Sequence, residues 1–190
     1  MANAISTTGP VGSRTLESPG FRSYEVVGGQ MLEKPVMGVL ESLLASLLLR
    51  WIANHAHENQ LGRVVTETLF LLDPALGLKR RPDLAFVSTQ RWPLRRRVPR
   101  TEAWEVVPDL AVEIVSLSNT AEQVAEKIED YFRSGVRQVW VVYPGTSKVY
   151  LYDTSTSVRI LQVGDDLDGG SVLPGFRLAL EDLFLQGTED

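Results

Sequence analysis

The sequence predicts an α/β fold of the α+β kind, a mixed β-sheet flanked by helices. Three observations carry that expectation. Pro108-Asp-Leu-Ala-Val-Glu-Ile-Val-Ser116 is a near-continuous apolar run, the pattern of a strand covered on both faces. A helical pattern follows at once, and then a second apolar run, Arg137 to Tyr143. Upstream, a hairpin signal leads into a long segment with helical periodicity.

Ser23 to Val27 and Gln30 to Glu33 read as strands joined by a Gly28-Gly29 turn. Pro35 opens a helix running to about His57, with Leu40, Leu43, Leu44, Leu47, Leu48 and Trp51 as its buried stripe. Arg63 to Leu72 reads as one strand ending at Asp73-Pro74, and Pro82 to Val87 as a short strand. Ser88 to Val107 is a polar loop, long enough to suggest function or mobility. Ser118-Asn119-Thr120 offers several N-caps, and either Asn119 with Glu122 or Thr120 with Gln123 fits a capping box. The helix behind them buries Ala121, Val124, Ala125, Ile128 and Phe132 and stops at Gly135. Lys148 to Asp153 and Ser157 to Val163 add strands. Asp165 to Gly170 reads as a loop, Pro174-Gly175 as a turn and Leu178 to Leu185 as a terminal helix.

With 190 residues, 44% of them hydrophobic, the chain suffices for one domain with a sizeable core. Residues 21–190 form that domain, and residues 1–20, rich in Ser, Thr, Gly and Pro, read as a mobile tail without a secretory signal. The absence of cysteine excludes disulfides and thiolate zinc sites and is compatible with the cytoplasm. The apolar segment Val36 to Ala53 is broken by Glu41 and Arg50, so it is a core helix and no membrane span is expected. A net charge of -5 argues against a general nucleic-acid-coating protein. Lys79, Arg80, Arg81, Arg91, Arg95, Arg96, Arg97 and Arg100 nonetheless form one basic stretch in which Asp83 is the only acid.

Asp109 and Glu113 lie four residues apart on the expected central strand, so both project from one face. Desolvated carboxylates require partners, and a metal ion or a salt bridge would serve. Asp83 opens the preceding strand, so the Asp83 and Glu113 carboxylates can converge on one divalent cation if the strands are neighbours. Hard oxygen donors suit Mg2+ or Mn2+. Lys127, at the rim of the next helix's buried stripe, can lean its ammonium over the sheet edge.

Tyr24-Glu-Val-Val-Gly-Gly-Gln30, Arg81-Pro-Asp83, Pro108 to Ser116, Glu126-Lys127 with Tyr131, Val139-Trp-Val-Val-Tyr-Pro144 and Leu173-Pro-Gly-Phe176 follow one another in a recognisable order. This set resembles the Uma-two family of restriction endonucleases, formerly catalogued as a domain of unknown function. That family resembles a branch of the PD-(D/E)XK nuclease superfamily. The resemblance implies a restriction-endonuclease-like core, DNA as the partner, Asp83 and Glu113 as metal-holding acids, and Lys127 as the catalytic amine. The superfamily's lysine usually stands two residues after the acid, where this chain has Val115. The resemblance also allows an acid on the first helix, here Glu41, whose other reading is a solvated helix edge.

Asp109 either stabilises the strand start or binds a second metal. Arg95, Arg96, Arg97 and Arg81 are candidates for gripping a phosphate backbone. The arginine loop joins the two acid-bearing strands, which favours that role over a subunit contact or a solvated surface, and Trp92 within it could stack on a base. A homodimer suits cutting of both strands of a duplex. The acidic net charge and Val115 also leave a second reading, a nuclease-like fold used as a catalytically inactive binding or assembly module.

Overall fold

The computed structural model describes residues 23–184. The expected tail and Leu185 lie outside the described residues. The chain begins with the hairpin β1 (Tyr24–Val27) and β2 (Gln30–Glu33), turned by Gly28 and Gly29 at φ 57° and 76°. Positive φ at both central residues matches the twist of the two strands. Helix α1 (Val39–Glu58) starts later than Pro35 because residues 34–38 stay outside any helix or strand. It buries Leu44, Ala45, Leu47, Leu48, Ile52 and Ala56. Leu40, Leu43 and Trp51, expected inside, are 50%, 45% and 36% exposed. The helix is apolar around most of its circumference, so leucine spacing did not define the inward face.

The expected strand Arg63 to Leu72 is two strands, β3 (Gly62–Thr66) and β4 (Phe70–Asp73), in different sheets. The chain turns between them at Glu67, whose φ is 48°. Next come β5 (Leu78–Arg80), too short to carry an alternation, then β6 (Leu84–Ser88) and β7 (Leu110–Ile114). Helix α2 (Ala121–Arg133) opens with a complete capping box between Thr120 and Gln123. Its buried residues are Val124, Ile128, Asp130 and Tyr131, while Ala121 and Ala125 are exposed. The chain continues through β8 (Gln138–Tyr143), β9 (Lys148–Thr154) and β10 (Ser157–Gln162). The expected loop after Asp165 contains β11 (Asp166–Asp168). This strand pairs with β12 (Arg177–Ala179), which takes the start of the expected terminal helix. Helix α3 (Leu180–Phe184) follows.

The large sheet has the order β10-β9-β8-β7-β6-β3, and the small one β2-β1-β5-β4. Strands β7 and β8 are parallel, as their connection through α2 requires, and β6 and β7 are antiparallel. Leu84, Phe86, Leu110, Val112 and Ile114 pack with α1 on one face of the large sheet. Ala85, Val87, Ala111, Val139 and Val141 pack on the other face with α2 and with Phe70, Leu72 and Leu78 of the small sheet. None of the helices among the described residues is long and apolar enough to cross a membrane.

Candidate active site

Strand alternation assigns Glu113 to the α2 face of the large sheet, between Val112 and Ile114 on the α1 face. Leu84 pairs with Val112, so Asp83 and Glu113 come next to each other one step further along the ladder. Asp83 is 2% exposed and Glu113 is 6% exposed. Asp83 Oδ2 accepts the Ile114 backbone N–H at 2.6 Å, which fixes its carboxylate against β7. Glu113 accepts from the Tyr131 hydroxyl at 2.6 Å and from the Lys127 ammonium at 2.9 Å. Lys127, Asp130 and Tyr131 all come from α2, whose Val124, Ile128 and Tyr131 pack it against the sheet.

The small sheet completes the site. Glu25, on β1, lies 3.4 Å from Lys127 and accepts from Arg80 at 2.9 Å and from the Arg81 backbone N–H at 2.9 Å. Arg80 also donates to Asp130 through Nε at 2.9 Å and Nη2 at 2.6 Å. Lys34, just past β2, donates to Asp83 at 2.6 Å, to Glu67 at 2.7 Å and to the Arg81 carbonyl at 2.9 Å. Glu25, Lys34, Asp83, Glu113, Ser116 and Lys127 are among the residues lining a cleft of about 160 Å³.

Burial pushes the Asp83 carboxyl above its ordinary value, against the pull of Lys34. Burial pushes Glu113 up as well, opposed by Lys127 and reinforced by the charge of Asp83. Glu25 behaves oppositely: burial pushes it up, but Lys127 and Arg80 outweigh that and hold it below its ordinary value. Burial works against the Lys127 ammonium, yet Glu113 and Glu25 hold its pKa well above the usual lysine range. Lys127 is therefore held in this network as a charged ammonium.

Asp83, Glu113 and Lys127 thus come together, but the other expected site residues do not join them. Asp109 marks the opposite end of β7, about 13 Å from Glu113 along the strand. It accepts the Ser88 backbone N–H at 2.8 Å and pairs with Arg91 at 3.1 Å and Arg137 at 3.5 Å. Those contacts make it an anchor of the strand start. The Glu41 carboxylate folds back over Gly38 at the start of α1 and does not line the cleft. Arg81 spends its guanidinium on the carbonyls of Tyr24 and Glu67.

The arginine loop leaves β6 at Ser88, about 16 Å along the strand from Asp83. Arg63 donates to the carbonyls of Trp92, Pro93, Leu94 and Arg96 and holds the loop at that end. Arg95, Arg96 and Arg97 are exposed there, with Arg96 3.6 Å above the Trp92 ring. Trp92 itself is only 7% exposed and meets Trp104 edge-on, so it belongs to the core and is not open to a base.

Lys34, Glu67, Arg80, Asp130 and Tyr131 were not among the expected site residues. Glu25 and Tyr131 stand within the motif set quoted above. For Lys34 the only local signal is a lysine at the end of a hairpin strand, which is ordinary surface chemistry.

A mixed sheet between helical layers, with two acids side by side on adjacent strands, defines a restriction-endonuclease-like fold. The chain belongs to the Uma2 family, described as "Putative restriction endonuclease", whose match covers residues 15–181. It is also similar to a crystal structure from Anabaena variabilis titled "a putative nuclease belonging to DUF820". The two share 18% sequence identity over 85% of this chain and 89% of the other, with a TM-score of 0.75. A comparison with curated proteins finds no match.

A divalent metal, as such folds generally use, fits the donors here. Asp83 and Glu113 offer hard oxygens, and one oxygen of each accepts from a lysine ammonium. No group of three or more acidic, histidine or cysteine side chains forms a metal cage among the described residues. Mg2+ does not require one, because it takes one or two carboxylates and keeps several waters.

Proposed function

We propose that this chain is an Mg2+- or Mn2+-dependent endonuclease that hydrolyses phosphodiester bonds of DNA. The observation that supports this reading is the juxtaposition of Asp83 and Glu113 at the cleft, with Lys127 hydrogen-bonded to Glu113. Asp83 and Glu113 would hold the metal, which when bound polarises a phosphoryl oxygen and lowers the pKa of a water. Lys127 orients that water by donating to it and offsets negative charge growing on the phosphate. Tyr131 and the Ile114 N–H hold the two carboxylates in place, so little reorganisation accompanies the reaction.

The test is incubation of the purified protein with duplex, nicked and single-stranded DNA in Mg2+ or Mn2+, beside Asp83→Asn and Glu113→Gln. Cleavage by the parent and a loss of at least about a hundredfold in each variant are expected. Equal cleavage by all three proteins would defeat the reading. A second reading, an inactive binding or assembly module, draws on one observation: both acids already carry an ammonium partner. Cleavage that tracks the two carboxylates decides against it. A homodimer forms part of the first reading, because duplex cutting on both strands suits twofold symmetry.

A further inference from the structure

Lys34 lies outside the motif set, yet its ammonium directs its three donors at Asp83, Glu67 and the Arg81 carbonyl. Two carboxylates and a carbonyl are the oxygens a hard metal ion seeks. A lysine ammonium and a divalent ion on the same Asp83 oxygen would repel one another, so occupancy by one disfavours the other. The stem of Lys34 leaves the end of β2, all four residues of which are exposed, and Lys34, its side chain 9% exposed, is among the residues lining the cleft. A phosphate oxygen entering that cleft offers the ammonium an alternative anionic partner.

We propose that Lys34 is a tethered counter-cation: it covers Asp83 while the cleft is empty and moves to a phosphodiester when nucleic acid enters. Nucleic acid and divalent metal then bind cooperatively, since each favours the arrangement in which Lys34 has left Asp83. The inference rests on the nuclease reading. Lys34 is a positioning residue here, and a purely structural role makes the opposite prediction. Loss of a structural lysine loosens the acid pair and weakens metal binding, whereas loss of a competitor strengthens it.

The test is calorimetric titration of the full chain with Mn2+, for the parent, Lys34→Met, Lys34→Gln and Asp83→Asn, with and without a phosphorothioate duplex that resists hydrolysis. Circular dichroism identifies which variants keep the parent's fold. Without DNA, a folded Lys34 variant is expected to bind Mn2+ about tenfold more tightly than the parent. The duplex is expected to tighten Mn2+ binding to the parent by about tenfold and to the variant by less than about twofold. Equal or weaker Mn2+ affinity in the variants, or the unfolding of both, overturns the proposal. If Mn2+ still binds the parent and is lost in Asp83→Asn, the nuclease reading survives that result. If Mn2+ binds none of the proteins, both fall.

Discussion

Glu25 shows how one side chain is tuned by its neighbours. It is as buried as Glu113, yet two cations hold it charged while Glu113 is pushed the other way. A carboxyl held below its ordinary value stabilises the fold above the unfolded group's titration, near pH 4.5, and stops doing so as pH falls through the folded value. Glu25→Gln should therefore cost about 2 kcal/mol at pH 7, since Lys127 and Arg80 each keep another partner. The deficit should shrink as the pH falls from 5 towards 3. Thermal unfolding of both proteins across that range checks it, and a pH-independent difference would show that Glu25 matters through packing and not through charge.

At the scale of the element, Arg80 joins three pieces of structure. It ends β5, reaches Glu25 on β1 and grips Asp130 on α2, and it is itself buried. Truncating one member of a buried ionic cluster leaves the others without compensation. Arg80→Met should lower stability by about 3–5 kcal/mol, measured by urea denaturation at pH 7. A loss under about 1 kcal/mol would mean that the cluster adds little to the docking of α2.

The same elements show what the sequence made legible. The hairpin, β7, α2 and β8 were readable because each combines a local turn or cap signal with a matching apolar pattern. Strand β5 was not, because three residues cannot establish a period and its pairing with β1 and β4 is a long-range choice. Asp83, Glu113 and Lys127 could be selected by order and spacing. Lys34 could not, because its role depends on the small sheet folding against the large one. Asp109 was placed near the site because it shares a strand face with Glu113, and the loop arginines because their loop joins the two acid-bearing strands. The loop does connect β6 to β7, but it does so at the ends remote from the acids.

For the whole molecule, that separation puts the acids and the exposed arginines at two ends of one strand pair. Charge carried by Arg95, Arg96 and Arg97 can act on a bound duplex only at a distance from the acids. Replacing all three with alanine should raise KM for DNA several-fold at low salt, by less as salt is added, and leave kcat within about twofold. Steady-state cleavage at two ionic strengths measures this, and a collapse of kcat would place the loop closer to the chemistry than the strand geometry does.

The opening hairpin has a consequence for how the protein tolerates change. It supplies Glu25 and Lys34 to the cleft, and it also covers the edge of β5 through the pairing of Val26 with Lys79. A lesion that peeled it away would strip the cleft of an acid and an amine while baring a row of unpaired backbone groups open to stray strands. Loss of the cleft's charged groups and clumping would then arrive together, because one hairpin both furnishes the cleft and shields a sheet edge.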